Sequence, residues 1–336
     1  MEKRILGKTG LEISSIGFGG IPIQRVDEEY AARLIEELNK QGINFIDTAR
    51  GYTISEELIG YGLGKFGRDK FVLATKSMSR DYDGMKKDIE ISLKNLRTEY
   101  IDLYQLHNVR TEAEYNKIIS ENGALRALKE AKQEGKVKHI GMTSHDLVTL
   151  EKGVDSGYFD TIQFPYNPVE RQAEELFKKA NSLGLGVIVM KPLAGGAITN
   201  AELSLRFILE NKSVSVAIPG MDSIEQIKEN ARVGNEYRKL NDTERDIILT
   251  EAKELGTEFC RRCGYCAPCP QGIDIPSQFL IEGYYSRYNL KDWAKERYME
   301  FSSKASDCIE CGQCETRCPY DLPIRDMLKK VVNILG

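Results

Sequence analysis

The chain has no cysteine before Cys260, no long apolar run and no excess of basic charge. No run approaches the roughly 20 apolar residues that cross a bilayer, and the opening MEKRILGKTG lacks the apolar stretch of a secretory signal. The 47 basic and 51 acidic residues are mixed along the chain and give a formal charge of −4, so no basic stripe can neutralise a phosphate backbone. We therefore expect a cytoplasmic protein that binds neither membranes nor nucleic acid.

The cysteines that are present all lie in one segment near the end of the sequence. They form two groups of four: Cys260, Cys263, Cys266 and Cys269, then Cys308, Cys311, Cys314 and Cys318. Disulfides are not expected in a chain without an export signal, and thiols this closely spaced are typical of metal ligands. The segregation predicts a metal-binding module that follows a cysteine-free domain.

A chain of 336 residues accommodates a (β/α)8 barrel with an extension, or two mid-sized domains. From residue 13 to about residue 235, short apolar runs alternate with amphipathic helical segments, which is the pattern of repeated βα units. The predicted strands are ISSIGFG from Ile13, INFID from Ile43, FVLATK from Phe71, IDLYQLH from Ile101, VKHIGMT from Val137, TIQF from Thr161, LGVIVMK from Leu185 and VSVAIP from Val214. Eight such units predict a TIM barrel, which carries its chemistry at the C-terminal ends of the strands.

A doubly wound dinucleotide-binding sheet is the competing fold, because the sequence contains G-x-G-x-x-G from Gly62 to Gly67. That match follows a predicted helix and precedes a strand, whereas the fingerprint must follow a strand and open a helix. We interpret it as a helix-to-strand turn. A last helix is predicted over 242–255, after which the composition shifts to Cys, Gly and Pro, so we expect a barrel over 1–255 and a second domain over 256–336.

Four polar residues fall at or just beyond the ends of three neighbouring predicted strands. These are Asp47, Tyr52, Lys76 and His107. A nearby ammonium favours the phenolate of a tyrosine, whose reference pKa is about 10, and a carboxylate holds that ammonium charged. Each residue alone is more often a solvated loop residue or half of a salt bridge. Together they predict a site in which Tyr52 protonates a carbonyl oxygen while His107 orients it.

At this point the sequence resembles the aldo/keto reductase family. The segments that carry the resemblance are LGKTGLEISSIGFGG, FIDTARGYTISEELIG, ATK, DLYQLH, QFPYNP and IPGMDSIEQIKEN. The resemblance implies that Asp47, Tyr52, Lys76 and His107 are the catalytic tetrad. It also implies that NAD(P)H binds in an extended form across the barrel mouth, against Gly20, Thr143, Ser144, Gln163, Met190, Lys191, Pro192, Leu193, Gly195, Gly220, Gln226, Glu229 and Asn230.

The sequence departs from the family pattern at residues expected to bind the nucleotide. Met190 and Lys191 stand where many members have a tyrosine that stacks on the nicotinamide. Gly220, Met221 and Gln226 stand where a Lys-Ser pair and an arginine grip the 2′-phosphate, so the charge-assisted hydrogen bonds of that grip are missing. We expect weak discrimination between NADPH and NADH, or weak binding of nicotinamide nucleotides altogether, with Lys191 either a substitute phosphate ligand or a surface lysine.

The second cysteine group reads C-x2-C-x2-C-x3-C-P, the ligand run of bacterial-type [4Fe-4S] clusters, while the first group has one residue fewer before its last cysteine. Structural zinc is the rival, but zinc ribbons present separated pairs of cysteines rather than compact quartets. By resemblance to two-cluster proteins, one cluster takes Cys260, Cys263, Cys266 and Cys318, and the other takes Cys308, Cys311, Cys314 and Cys269. The intervening segment has helical patterning and is rich in aromatic residues expected to form core and cluster shielding, which favours a mainly α-helical ferredoxin-like domain.

Three functional hypotheses follow. The first is an NAD(P)H-dependent reductase of a small carbonyl substrate, or an alcohol dehydrogenase, linked to two [4Fe-4S] clusters. Because a hydride carries two electrons and a cubane usually takes one, the second is a cluster-fed reductase that uses a flavin or an external electron-transfer protein. The third is a barrel whose clusters are structural or sensory.

Overall fold

The computed structural model describes residues 1–336 and contains a closed parallel barrel. Its strands, β3 to β10, are Phe18–Gly19, Phe45–Asp47, Val72–Ser77, Ile101–Leu106, Val137–Thr143, Thr161–Pro165, Gly186–Met190 and Val216–Ile218. Each strand pairs with the next in sequence, and bridges from Ile16 to Ala217 and from Gly19 to Gly220 join the first strand to the last. The predicted (β/α)8 barrel is confirmed.

One predicted strand is two. The run from Ile13 divides because Glu12–Ser14 (β2) pairs antiparallel with Lys3–Ile5 (β1), and only Phe18–Gly19 enters the barrel. At the division, an added Cβ on Gly17 would lie 3.0 Å from the side chains of Phe45, Val216 and Ile218. The hairpin therefore lies outside the barrel sheet, and the chain enters the barrel at a tightly packed point.

Ten helices accompany the barrel. Helices α1 to α10 are Glu28–Lys40, Ser55–Phe66, Tyr82–Asn95, Glu112–Ile119, Ala124–Gln133, Leu147–Asp155, Glu174–Ser182, Ala201–Glu210, Ile224–Asn235 and Asp242–Leu255. Side-chain caps fix several starts; Asp27, for example, accepts the backbone N–H of Tyr30 at α1. None of the helices in the protein is long and apolar enough to cross a membrane.

The G-x-G-x-x-G sequence lies at the end of α2 and leads into β5, as its context predicts. Gly62 lets α1 approach closely, because an added Cβ would lie 2.6 Å from the Ile35 side chain. Gly67 ends the helix with φ of 100°, a conformation that suits glycine. These glycines serve helix packing and helix termination rather than phosphate binding.

The region after α10 is mainly helical. Helices α11 to α14 are Ile275–Ser286, Lys291–Met299, Gln313–Thr316 and Ile324–Leu335. They enclose a core of 15 buried residues, separate from the 63-residue cluster of the barrel. Residues 256–336 are called the cysteine module below.

The cysteine module packs over the C-terminal ends of the barrel strands. Arg262 forms a buried ion pair with Glu170, and Arg110 pairs with Asp274 at 2.9 Å. Arg287 donates from Nε to the Gly195 carbonyl oxygen at 3.2 Å. The module therefore covers the end of the barrel at which the predicted site residues lie.

Candidate active site and cysteine sites

Parallel strand ends bring the four predicted catalytic residues together. Asp47 ends β4, Lys76 lies in β5, His107 follows β6, and Tyr52 lies in the loop after β4. The Lys76 ammonium donates to Asp47 Oδ2 and to the Thr48 carbonyl oxygen, each at 2.6 Å. Gln105 holds the other carboxylate oxygen from 3.0 Å. A buried ion pair thus forms the floor of the site.

Tyr52 lies above this ion pair. Its ring centroid is 5.1 Å from Lys76 Nζ and meets the His107 ring edge-on at 5.7 Å, and its hydroxyl has no hydrogen-bond partner. Burial raises the pKa of Tyr52, and the Asp47 carboxylate raises it further. The expected lowering of the Tyr52 pKa by Lys76 is not found, and the Lys76 ammonium is engaged by Asp47. Tyr52 is therefore a neutral phenol that holds its proton.

His107 is also neutral. Burial, followed by the charges of Lys76, Arg80 and Arg297, lowers the pKa of His107 well below its usual range. Its Nδ1 is buried without a partner. A neutral imidazole has one N–H to donate, which suits it to orient a carbonyl oxygen.

The predicted nucleotide residues divide into two groups. Nine line one cleft of about 980 Å³, including its solvent-open part, together with Asp47 and Tyr52: Gly20, Gln163, Met190, Lys191, Pro192, Leu193, Gly195, Gly220 and Gln226. The remaining four, Thr143, Ser144, Glu229 and Asn230, do not line it. The cleft runs from the candidate catalytic residues towards α9.

Two of those four side chains form hydrogen bonds with the backbone instead. Thr143 Oγ1 accepts the Asn108 N–H at 2.7 Å, and Ser144 Oγ donates to the Val109 carbonyl oxygen at 2.7 Å. The Asn108 side chain lies 2.9 Å from the Nδ1 of His145. These contacts fix the loop after β6 on which His107 lies.

Sequence reasoning missed a wall of the cleft that the cysteine module supplies. Tyr284, Arg287 and Tyr288 line it, as does Arg25 of the barrel. We call Arg287 and Tyr288 the cleft strap, because Arg287 bonds to Gly195 while Arg25 donates to the Tyr288 carbonyl oxygen. The only signal in the sequence was the aromatic content of this segment, which we expected to form core and cluster shielding.

Lys191 lies between the cleft and the first cysteine group. It is half-buried, with φ of 55°. Burial, with the nearby Arg262 and Arg287 guanidinium groups, lowers the pKa of Lys191 well below its usual range, while Glu170 and Cys260 oppose this. Because it lines the cleft, Lys191 remains a candidate ligand of the nucleotide phosphate.

Three cysteines of the second group surround one cavity. Cys308, Cys311 and Cys314 line it with Cys269, which reaches across from the first group despite the shorter spacing. Burial raises the pKa of Cys260 to about 11, and the neighbouring Cys263 and Cys318 add to the rise. Cys318 therefore lies beside the first group, as the crossed ligand sets require.

The spacing of the cysteines bears on which metal group they suit. No three His, Cys, Asp or Glu side chains converge closely enough to hold a single metal ion. A tetrahedral zinc needs four sulfurs each about 2.3 Å from one ion, whereas a cubane holds its ligands at separate iron corners. The preference for a cubane over zinc therefore rests on the ligand spacing in the sequence.

Comparisons with known proteins agree with both halves of this description. Residues 15–203 match the model of the aldo/keto reductase family, and residues 259–323 match that of a 4Fe-4S dicluster domain. The chain is 29% identical over 302 residues to L-galactose dehydrogenase of Arabidopsis thaliana, covering 75% of this chain and 94% of the relative. It is 28% identical over 229 residues to the NADH-specific methylglyoxal reductase of Escherichia coli, covering 59% of this chain and 69% of that protein.

A solved structure shares the barrel. The aldo-keto reductase AKR11C1 of Bacillus halodurans, in its holo form, is 27% identical and superposes with a TM-score of 0.66. The match covers 96% of that chain but only 75% of this one. This protein therefore has about a quarter of its length beyond the part shared with that reductase.

Proposed function

Because the chain belongs to the aldo/keto reductase family and carries a 4Fe-4S dicluster domain, we propose that it interconverts a small carbonyl compound and its alcohol with NAD(P)H. The observation that carries the proposal is the Tyr52 hydroxyl. It has no protein partner, its residue lines the cleft, and the ring contacts both Lys76 and His107. A proton donor with a free hydroxyl at a cleft suits a reacting oxygen.

Each candidate catalytic residue has a separate role. Tyr52 gives its proton to the carbonyl oxygen, and His107 donates an N–H to the same oxygen to orient it. Lys76 stabilises the resulting phenolate, and Asp47 keeps Lys76 charged at a buried position. The nicotinamide, when bound, supplies the hydride.

Replacing Tyr52 tests this assignment. Tyr52→Phe removes the proton donor and keeps the ring, so carbonyl reduction should fall by roughly 10²- to 10⁴-fold, the usual contribution of a general acid. The dissociation constant of NADH should stay unchanged. Tyr265→Phe, at an exposed tyrosine of the cysteine module, is the matched control. Unchanged turnover in Tyr52→Phe would refute the role.

We further propose that the protein discriminates weakly between NADH and NADPH. Neither Gly220 nor Gln226 offers a cation to the 2′-phosphate, and Asp222 beside them places a carboxylate 2.8 Å from Arg25. A phosphate there would have to compete with the Asp222 carboxylate for Arg25. Fluorescence titration with both nucleotides should give similar affinities, and a large preference for NADPH would contradict the proposal.

The two crossed cysteine sets would hold one [4Fe-4S] cluster each, and such clusters supply single electrons. Anaerobically purified protein should be brown and contain labile sulfide and about eight irons per chain, as two four-iron clusters require. Replacing Cys269 by Ser should lower the content of the second cluster, because that cysteine lines its cavity. Colourless protein with two zinc ions would overturn this part of the proposal.

A second candidate is a reductase fed by the clusters from an external donor, with a flavin as a further possible intermediary. The observation that favours it is the position of the first cysteine group. Arg262 within that group is paired with Glu170 of the barrel, and Lys191 lies between the group and the cleft. Bleaching of the clusters on adding NADH or substrate supports electron exchange with the barrel, whereas absence of bleaching supports structural or sensory clusters.

A further inference from the structure

One arginine at the barrel mouth has no anionic partner in the chain. Four arginines have a buried nitrogen without a hydrogen-bond partner: Arg50, Arg80, Arg262 and Arg297. The first three are paired with Glu56, Glu114 and Glu170, respectively. Arg297 forms no ion pair, and its single hydrogen bond is a long one of 3.4 Å to the Gly51 carbonyl oxygen. Because a guanidinium cannot lose its charge, this arrangement leaves a half-buried cation without a counterion.

Arg297 lies beside the candidate catalytic residues although it belongs to the cysteine module. It extends from α12 to Gly51, the residue before Tyr52. Its charge is close enough to His107 to contribute to the lowered pKa of that imidazole. The cation therefore lies near both groups proposed to hold the substrate oxygen.

The other charges near this point are already engaged. Lys76 is neutralised by Asp47, and Arg80 is held by Glu114 and by the carbonyl oxygens of His107 and Asn108. Neither of these two carboxylates also pairs with Arg297. The Trp293 ring, 4.2 Å from the guanidinium carbon, packs against its face. An arginine held in this way is prepared to bind a planar anion through its N–H groups.

We propose that Arg297 binds the carboxylate of the substrate, so that the site takes oxo acids and the corresponding hydroxy acids rather than neutral aldehydes and ketones. The proposal rests on the proposed function, because it deepens the same site. The carboxylate is bound and not changed: a hydride adds to the carbonyl carbon, and the Tyr52 proton goes to the carbonyl oxygen. Arg297 thus sets specificity and takes no part in proton transfer.

Binding can be measured without turnover, because Trp293 is the single tryptophan of the chain and contacts Arg297. The holoprotein is titrated with oxo acids whose carboxylate lies one to three carbons from the carbonyl, and with the primary amide of each. We expect a saturable change in Trp293 emission with at least one acid, and binding of that acid roughly 10- to 150-fold tighter than of its amide, as expected for hydrogen bonds to a charged group.

Variants separate the role of Arg297 from a structural one. Arg297→Gln should remove the preference for acid over amide, and Arg297→Lys should restore part of it. Lys295→Gln, which removes an exposed positive charge from the same helix, should behave as the parent. Iron content identifies a variant that fails to fold. If Arg297→Gln fails, the preference for acid over amide is measured on Arg297→Lys, where we expect it to be reduced.

Equal binding of acid and amide by the parent, no response to any acid, or an undiminished preference in Arg297→Gln would each overturn the proposal. Failure of the proposed function is a different result. In that case the parent binds acids through Arg297 but never reduces them with NADH, NADPH or reduced clusters.

Discussion

At the scale of single residues, the ion pair of Lys76 and Asp47 should be highly sensitive to mutation. Both side chains are almost completely buried, so removing one leaves an uncompensated charge. Lys76→Met should destabilise the protein by about 3–5 kcal/mol. The double variant with Asp47→Asn should lose less than the sum of the two single variants, as measured by urea unfolding. Lys138→Met, at an exposed lysine of β7, is the control; an additive double variant would show that the pair is not coupled.

Two histidines predict an acid sensitivity. Burial lowers the pKa of His107 and of His145 well below the usual range, so the folded protein excludes protons that the unfolded chain accepts below its pKa of about 6.5. Stability is therefore complete above that pH and falls as the pH decreases, by up to about 1.4 kcal/mol per pH unit for each histidine. The free energy of unfolding, measured with urea at pH 6.5 and at pH 5.5, should change less between these two pH values in His107→Gln than in the parent. An equal pH dependence of the unfolding free energy in the parent and in His107→Gln would contradict the burial argument.

The sequence predicts some of the site residues for a physical reason. Asp47, Lys76 and His107 occur at the ends of adjacent parallel strands, and those ends converge whatever the loops do. Arg287 and Arg297 could not be predicted, because their approach depends on how a separate helical module docks on the barrel. The pKa of Tyr52 depends on burial and on the position of the Asp47 carboxylate, and the spacing of residues along the sequence encodes neither.

At the scale of elements, the cleft strap should contribute to nucleotide binding. Arg287 lines the cleft beside the loop that carries Gly195, next to the expected pyrophosphate. Removing one charge-assisted hydrogen bond costs about 1.5–3 kcal/mol, so Arg287→Gln should weaken NADH and ADP-ribose binding alike. Calorimetric titration checks this, with Arg317→Gln as an exposed control in the same module. Equal affinities of the parent and of Arg287→Gln for NADH would mean that the strap covers the cleft without binding the nucleotide.

Element prediction was accurate where one periodicity dominates. Helix α10 begins and ends as its pattern predicts, and Gly67 of the run 62–67 ends a helix. The run from Ile13 was read as one strand because its apolar pattern is continuous. Only the antiparallel pairing of Glu12–Ser14 with Lys3–Ile5 separates its two halves, and that pairing is a contact between segments.

At the scale of the whole molecule, the two cores should differ in their dependence on metal. The 63-residue barrel core is large, whereas the 15-residue core of the cysteine module is small for independent folding. Metal binding supplies folding free energy in such modules. Removing iron with an oxidant and a chelator should leave residues 1–255 protected in hydrogen exchange and increase exchange over 256–336. Retained protection in the module after iron loss would contradict this.

The crossed cysteine sets also order the biosynthesis of the protein. In the proposed sets, the first cluster cannot be completed until Cys318 has been synthesised, although its other three ligands are Cys260, Cys263 and Cys266. Neither cluster can be completed early in translation, since the second also needs ligands as late as Cys314. The whole barrel is synthesised before then. The clusters would therefore be inserted into a chain whose barrel has already had time to fold.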